Sequence, residues 1–490
     1  MDLVLCGEVP AKLRHRNTMQ VDVAVIGGGL LGCFAARNLC RWQLSVLLIE
    51  AENDVCRGIS RSNSAVVYAG YDNKPGSLKA AMTVRANARF EELCRELEAT
   101  FSRCGSMMVA TSPETRPILE KKLRQGQENQ VPGLQLLTGA QARQREPLLS
   151  EAVTAALYAP TTGTVNPWQL GIAAYENAVQ NGCEALLGTS VTGIDVRRDG
   201  YYLQTTAGEV FCRAVVNCAG LSADKVQELL FPPSVRLQLD AADYLILDKD
   251  SKKPGCILFH QDGVCGKGIT AIPCVEGNLM LSGSRRPMEQ PFSTTASGLQ
   301  ALQTAAKNLL PEADLSAVIR SFGAVRPNPK LVVEQDGQWV PDDRSLGDFC
   351  LENPAPGFLS LIGIKTPGLT CADELGLLAA RETARMLCAE PNWNFDPHRR
   401  AIVRLRDLDA AEKLAVIKEN PDYGDMVCLC EQVTKAEILE AIRRGAKTVD
   451  GVKRRTGCTM GRCQGGRCTP KIEELLNEFG ENTYDRQTWS

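Results

Sequence analysis

The chain has 490 residues, of which 44% are apolar and 23% are charged, the proportions of an ordinary folded protein with two to four domains. This composition excludes a disordered, collagen-like or coiled-coil chain. The 55 Lys and Arg residues are balanced by 58 Asp and Glu residues, so no overall basic field favours nucleic acid or a membrane surface. No stretch reaches the roughly 18 apolar residues of a membrane span, and the start does not resemble a signal peptide. We therefore expect a cytoplasmic protein without nucleic-acid partners or integral membrane segments.

The first strongly patterned segment predicts a strand, a turn, a helix and a second strand. Residues 21–26 (VDVAVI) predict a buried strand, residues 33–42 a helix, and residues 45–49 (SVLLI) a second strand that ends at Glu50. The turn contains glycines in G-x-G-x-x-G spacing: Gly27, Gly29 and Gly32. Such glycines allow a tight turn, a close approach of the backbone to a pyrophosphate and close helix packing, while Glu50 can bind ribose hydroxyls. The segment predicts a dinucleotide site without deciding between FAD and NAD.

Residues 57–80 (RGISRSNSAVVYAGYDNKPGSLKA) follow the second strand. They resemble the flavin-side segment of the D-amino-acid oxidase / glycerol-3-phosphate dehydrogenase superfamily, especially the large subunit of anaerobic glycerol-3-phosphate dehydrogenase and the 2-hydroxyglutarate oxidase branch. The resemblance continues in residues 104–114, 162–170, 214–224, 266–283, 322–327 and 361–376. It implies FAD as the cofactor. Beyond the glycine motif and Glu50, it implies FAD contacts from Ser62, Asn63, Ser64, Gly220, Gly363, Lys365, Gly368, Leu369 and Thr370.

The same resemblance implies an FAD-dependent dehydrogenase that oxidises a small anionic C–OH or C–NH substrate by hydride transfer to FAD. Arg326, in AVRP, is expected to face the substrate, since its planar fork suits a carboxylate or phosphate. Lys365 is expected beside the flavin, where positive charge stabilises the reduced ring, and Lys267 is a further basic candidate. Tyr68 stands where close relatives have histidine. It can orient the substrate, but with a reference pKa of about 10 it is a poor base at neutral pH.

Several residues near the expected active site leave the substrate open. Residues 241–244 (AADY) replace the Arg-Gly-Glu-Tyr of close relatives, so glycerol 3-phosphate, a 2-hydroxy acid and an opine-type amino acid all remain candidates. We expect a structural role for His260 and a surface position for Arg285 and Arg286. A non-catalytic flavin and iron–sulfur electron-transfer subunit is the alternative. An NAD(P)-linked reductase is disfavoured, because no second G-x-G-x-x-G unit is found.

Five of the 20 cysteines lie close together near the end of the chain. They form the pairs Cys428-x-Cys430 and Cys463-x4-Cys468, 32 residues apart, with Cys458 as a spare. Four thiolates can bind zinc or a [2Fe–2S] cluster. The segment resembles the bacterioferritin-associated-ferredoxin-like (BFD-like) domain, which implies [2Fe–2S] and a partner that accepts electrons. That partner is expected to be an NAD(P)-linked flavoprotein or a quinone-linked membrane subunit.

The predicted fold class is α/β: a Rossmann-like FAD-binding domain, an inserted α+β substrate domain and a small helical [2Fe–2S] domain. The expected ranges are 20–75, 150–235 and 340–390 for the FAD-binding domain, 76–149 and 236–339 for the substrate domain, 391–425 for a linker and 426–480 for the [2Fe–2S] domain. In the last domain Thr434 and Glu437 have capping-box spacing, which predicts the start of a helix.

Overall fold

The computed structural model describes residues 18–261 and 267–479. The strands are β1 (Met19–Ile26), β2 (Val46–Glu50), β3 (Val66–Val67), β4 (Phe101–Ser102), β5 (Ser106–Ala110), β6 (Gln135–Thr138), β7 (Ala155–Ala159), β8 (Gly163–Val165), β9 (Glu184–Leu187), β10 (Val191–Arg197), β11 (Gly200–Thr205), β12 (Gly208–Asn217), β13 (Val235–Leu247), β14 (Ile257–Gln261), β15 (Lys267–Pro273), β16 (Leu279–Pro287), β17 (Val318–Gln335), β18 (Gln338–Ser345), β19 (Cys350–Ala355), β20 (Phe358–Ile362), β21 (Met426–Cys428) and β22 (Val433–Thr434). The helices are α1 (Leu30–Leu39), α2 (Leu78–Glu96), α3 (Arg116–Glu128), α4 (Gly139–Arg145), α5 (Pro167–Gln180), α6 (Ala223–Glu228), α7 (Ala296–Leu309), α8 (Ala372–Leu387), α9 (Ala410–Glu419), α10 (Lys435–Arg443), α11 (Val449–Thr456) and α12 (Thr469–Phe479).

The first sheet has the strand order β10-β11-β12-β1-β2-β9, and β20 also pairs with β12 and β19. The neighbours of β1 are parallel to it, and such strands are covered on both faces and rich in apolar residues. Helices α1, α5 and α8 share a core with one face. Ile26 pairs with Ile49, so Gly27 and Glu50 leave the sheet side by side at its carboxyl edge.

The second sheet has nine strands in the order β18-β17-β13-β16-β15-β14-β5-β7-β6. Helix α7 packs leucines against one face. The other face carries a core with residues of β3 and its flanks, so it lies toward the first sheet. Strand β7 and most of β18 fall in ranges that the sequence assigns to the FAD-binding domain.

The C-terminal part is a small helical domain around the β21–β22 hairpin. Its core joins α10, α11 and α12 through residues such as Ile438, Val452 and Ile472. The predicted capping box is confirmed: the Glu437 N–H donates to the Thr434 hydroxyl, and the Glu437 carboxylate accepts the Thr434 N–H. The predicted linker contains α9. In the described part of the chain, no helix combines the length and the hydropathy needed to span a bilayer.

Candidate functional site

The glycine turn, residues 27–32, is shaped for a close approach of backbone atoms. Gly27 has a φ of +103°, and a Cβ atom there would lie 2.5 Å from the Cys218 carbonyl oxygen. A Cβ at Gly32 would lie 1.8 Å from the Gly27 oxygen. Because the N-cap residue Gly29 has no side chain, the first turn of α1 keeps backbone N–H groups for an anion. These features fit the pyrophosphate of a dinucleotide.

Glu50 closes the other side of this turn. Its carboxylate accepts hydrogen bonds from the Gly28 N–H at 2.5 Å and the Glu52 N–H at 2.8 Å. Burial raises the pKa of Glu50, and these N–H groups oppose the shift. The carboxylate therefore lies against the turn, in the place where a ribose would meet it.

The β2 loop, residues 57–65, has polar side chains that are largely used within the protein. The Ser62 hydroxyl donates to the Gly323 carbonyl at 2.5 Å. The Asn63 amide donates to the Ser60 carbonyl at 2.9 Å and accepts from the Ala65 N–H at 2.8 Å. These hydrogen bonds hold both side chains in place within the loop, and the FAD contacts of Ser62 and Asn63 stay predictions. Ser64 lies beside them and is half-buried.

The turn before α8 brings the late predicted residues to the same region. Gly368 N–H donates to the Lys365 carbonyl at 2.6 Å, and Leu369 follows in the same turn. The Thr370 hydroxyl accepts the Tyr68 N–H at 3.0 Å. A Cβ at Gly363 would lie 2.7 Å from Pro329 of β17. Gly220 lies in the turn after β12, at the edge that also carries the glycine turn.

Arg326, Lys365 and Arg285, here called the cationic site, lie together at one end of the second sheet. In the register of this sheet Asp240 pairs with Arg326, and Ala242 pairs with Arg285. Among the described residues none of these three cations has an ion-pair partner within 4.0 Å. Arg326 donates only to the Thr366 hydroxyl, at 3.3 Å. The site therefore collects positive charge without neutralising it.

An asparagine connects the lysine of this site to a carboxylate. The Lys365 ammonium donates to Asn328 Oδ1 at 2.6 Å, and Asn328 Nδ2 donates to Asp240 at 2.8 Å. Burial, followed by the charges of Lys79, Arg285 and Arg326, lowers the pKa of Lys365 to about 8. Sequence reasoning missed both Lys79 and Asn328, and for Arg285 it favoured a surface position over a place in an anion site. Arg285 is partly exposed, but its charge faces Arg326 and Asp240.

Aromatic rings line the same face of the second sheet. Tyr68 stacks on Phe259 at 6.1 Å between centroids, and Tyr244 stacks on Phe322 at 4.7 Å. Lys267 is the first residue of β15, and its side chain lies outside the described part of the structure.

Three other residues weighed from the sequence lie away from the cationic site. His260 Nε2 is 3.1 Å from the Thr111 hydroxyl. Asp243 and Arg286 form an ion pair of 2.8 Å on the face that packs α7. Arg286 is therefore a structural partner of Asp243.

The four predicted metal ligands come together as two pairs. Cys430 Sγ lies 3.5 Å from Cys463 Sγ, and Cys428 hydrogen-bonds Cys468. The β21–β22 hairpin and the loop between α11 and α12 meet at Gly461, where a Cβ would lie 2.4 Å from the Cys430 Cβ. Among the described residues no group of three or more His, Cys, Asp or Glu side chains is arranged to hold a single metal ion.

The arrangement in pairs fits a [2Fe–2S] cluster, in which two thiolates bind each iron. Although burial opposes it, hydrogen bonds from Cys430 and the Gly465 and Arg467 N–H groups lower the pKa of Cys463. This shift favours the thiolate form that a metal requires. Cys458 is buried and belongs to neither of these two cysteine pairs, so it stays the predicted spare.

An ionic seam joins the C-terminal domain to the rest of the chain. It is centred on four buried or half-buried acids: Asp54, Glu176, Glu276 and Glu431. Asp54 pairs with Arg454 at 2.5 Å and Arg455 at 2.8 Å. Within the described chain, the seam contains six further ion pairs. They join Glu176 to Arg399 and Arg444, Glu276 to Arg404 and Arg406, and Glu431 to Arg406 and Lys249.

Residues 22–382 match the family described as FAD dependent oxidoreductase. The chain belongs to this family. Residues 426–478 match the BFD-like [2Fe-2S] binding domain. This FAD-dependent oxidoreductase thus carries both predicted cofactor-binding modules, and the glycine turn and the paired cysteines fit the two cofactors.

Two of the curated relatives below are similar over most of the chain, and the third is similar over about half of it. A glycerol 3-phosphate dehydrogenase of Caloramator mitchellensis is 36% identical over 93% of this chain and 93% of its own length. A glycerol 3-phosphate oxidase of Mycoplasma pneumoniae is 25% identical over 76% of this chain and 97% of its own. The human mitochondrial L-2-hydroxyglutarate dehydrogenase is 30% identical over 48% of this chain and 53% of its own.

Solved structures confirm the fold. The L-alpha-glycerophosphate oxidase of Mycoplasma pneumoniae with FAD bound has a TM-score of 0.70 at 22% identity, covering 78% of this chain and 99% of that one. The FAD complex of glycerol-3-phosphate dehydrogenase from Bacillus halodurans has a TM-score of 0.65 at 16% identity, covering 95% and 92%. The predicted fold class and FAD are confirmed. The chain is an FAD-linked dehydrogenase with an iron–sulfur domain for electron transfer.

Proposed function

We propose that this dehydrogenase oxidises glycerol 3-phosphate, converting a hydroxyl-bearing carbon to a carbonyl. The observation that carries the proposal is the cationic site, where Arg326, Lys365 and Arg285 gather without an ion-pair partner among the described residues. Asp240 lies nearby and its charge acts on Arg285 and Lys365, but it forms no ion pair with them and accepts a hydrogen bond from Asn328. A phosphate monoester carries close to two negative charges at neutral pH, so a single phosphate matches this local excess.

Each cation has a distinct task in this proposal. Arg326 binds two phosphate oxygens through its planar fork, and the Thr366 hydroxyl at 3.3 Å fixes its direction. Lys365 holds a proton on Nζ below about pH 8 and adds its charge from the turn before α8. Arg285 closes the side that faces solvent.

The carbon chain of the substrate would then extend along the aromatic face. Tyr68 and Tyr244 present rings there, and burial raises the pKa of Tyr244, so its hydroxyl stays protonated. When bound, FAD supplies the two-electron acceptor, and the [2Fe–2S] cluster passes electrons singly. Tyr68 orients the substrate rather than acting as its base.

We also propose that electrons leave on the side of Cys430. Cys430 is exposed, whereas Cys428 and Cys468 are buried. The neighbouring Leu429 is 64% exposed, which suits the docking of a partner protein. The kind of partner, an NAD(P)-linked flavoprotein or a quinone-linked membrane subunit, and the cytoplasmic location both stay predictions.

The test is anaerobic bleaching of the flavin absorbance in the purified holoprotein. The compounds are glycerol 3-phosphate, glycerol, L- and D-2-hydroxyglutarate and an opine-type amino acid. We expect bleaching by glycerol 3-phosphate at concentrations where glycerol, which lacks the phosphate, has no effect. Bleaching by 2-hydroxyglutarate alone, or by the opine alone, would overturn the assignment of glycerol 3-phosphate as the substrate. No bleaching by any compound would favour the non-catalytic subunit.

A further inference from the structure

A cavity of about 410 Å³ lies where the β2 loop, the second sheet and the C-terminal domain meet. Ser62 of the loop, Phe322 of β17 and Gln464 next to Cys463 all line it. Its volume is in the range of cavities that hold small ligands. The glycine turn, Glu50 and the cationic site, all within the described chain, do not contribute to its walls. Ser62 and Asn63, two of the predicted FAD contacts, do line it, so the cavity adjoins the expected flavin site without including the glycine turn or the cationic site.

The cavity contains a cation without a partner. Among residues 18–261 and 267–479 the Lys453 ammonium has neither a hydrogen bond nor an ion pair. The like charge of Arg320 faces it, and Arg320 donates only to the neutral Gln464, at 3.1 Å. Two acids line the cavity as well, and both are already paired: Asp450 with Arg57 at 2.6 Å and with Arg454, and Glu276 with Arg404 at 2.8 Å. An anion in the cavity would relieve this repulsion.

The remaining walls offer flat and polarisable surfaces. Trp168, Phe292 and Phe322 line the cavity together with Met460. The Arg61 guanidinium lies 5.0 Å from the centre of the Phe292 ring, so this wall is ordered by a cation–π contact. Aromatic and thioether surfaces favour a planar ring between them.

We propose that this cavity binds a planar aromatic ligand that carries a phosphate, of the size of flavin mononucleotide. Lys453 and Arg320 bind the phosphate, and Phe322 and Trp168 contact the ring. Such a ligand touches the β2 loop through Ser62 and the cluster domain through Gln464, so it binds at the contact between the two cofactor-binding modules.

The experiment titrates the FAD-saturated holoprotein with flavin mononucleotide and with riboflavin, which lacks the phosphate, and measures the quenching of their fluorescence. We expect saturable binding of flavin mononucleotide at one equivalent per chain, with riboflavin at least about tenfold weaker. Lys453→Met keeps the length and packing of the side chain, and it should weaken flavin mononucleotide about tenfold while leaving riboflavin unchanged. Arg320→Met should act in the same direction.

The matched control is Lys471→Met, since Lys471 lies on the same domain outside the cavity, paired with Glu474 at 3.0 Å. It should leave the binding of both compounds unchanged. Equal affinity for the two compounds, or an effect of Lys471→Met as large as that of Lys453→Met, would overturn the phosphate site. Absence of saturable binding of flavin mononucleotide to a holoprotein that unfolds at its normal temperature would overturn the proposal as a whole.

Discussion

The cationic site and the ionic seam are both rich in arginine, yet they differ in what their charges face. In the seam, Arg454 and Arg455 are 2% exposed and share the buried Asp54. In the cationic site, Arg326 and Arg285 face each other and Lys365 without an ion pair among the described residues. Removing one partner of a buried ion pair strongly destabilises the fold. Cations that form no ion pair can instead bind an anionic ligand. The comparison separates cations that pair across the contact between domains from cations that we propose bind substrate.

The largest effect is expected at the centre of the seam. Among the described residues, Asp54→Asn leaves the buried Arg455 without an ion-pair partner and Arg454 with Asp450 alone, which should lower the free energy of unfolding by about 3–5 kcal/mol. Urea unfolding, monitored through the loss of iron–sulfur absorbance, measures this change in the free energy of unfolding. Asp248→Asn is the control, because its partner Arg462 is 65% exposed, and it should cost less than about 1 kcal/mol. Equal losses of unfolding free energy in Asp54→Asn and Asp248→Asn would contradict the distinction between buried and exposed ion pairs.

Arg326→Gln should reduce kcat/KM for glycerol 3-phosphate about a hundredfold or more, because the phosphate loses a charge-assisted pair. The free energy of unfolding should change little, since no structural ion pair is removed. Steady-state kinetics and urea unfolding together test this. Arg213→Gln removes an arginine that pairs with Asp22 at 3.0 Å, and its kinetics should stay normal. A large loss of stability in Arg326→Gln would assign this arginine to the structural class.

The pKa of Lys365 predicts an alkaline limit of substrate binding. Its folded-state pKa lies near 8, so the ammonium is present below pH 8 and is lost above it. We expect kcat/KM to fall about tenfold per pH unit above that point. In Lys365→Arg the fall should move to higher pH, because a guanidinium stays protonated. An unchanged profile in that variant would mean that another group titrates.

The smallest effect is expected at the solvent-facing side of the cationic site. Arg285→Gln should raise KM for glycerol 3-phosphate by about three- to tenfold with kcat unchanged, since a partly exposed charge is screened by water. Raising the ionic strength should shrink the difference between the variant and the native enzyme. A fall in kcat would instead place Arg285 at the reacting atoms.

Local signals made the cofactor modules predictable from the sequence. The glycine spacing and the strand that ends at Glu50 lie within one short segment. The resemblance to the BFD-like domain predicted Cys428, Cys430, Cys463 and Cys468 as a set, and in the structure Cys430 lies beside Cys463 and Cys428 beside Cys468. In each case the residues that act together are close in the chain or belong to a fixed motif.

No such local signal in the sequence predicts which residues surround the cationic site. Arg285, Arg326 and Asp240 meet through the register of β16, β13 and β17, and a shift of one residue would turn every side chain to the other face. Nothing local distinguishes Arg285, which faces Arg326, from Arg286, which pairs with Asp243. Lys79 reaches the site from α2 by tertiary packing. The roles of the predicted site residues stay predictions.

The C-terminal [2Fe–2S] domain resembles a module that could be exchanged between enzymes. Helix α11, however, contacts residues of the rest of this chain. Lys453, Arg454 and Arg455 are successive residues, separated by about 100° around the helix. Lys453 and Arg454 line the cavity, and Arg454 and Arg455 pair with Asp54. A single-residue insertion before them would rotate all three away from their partners. A transplant of the domain onto another flavoenzyme would therefore also need the partners of its ion pairs, Asp54, Glu176 and Lys249, which lie far from it in the chain.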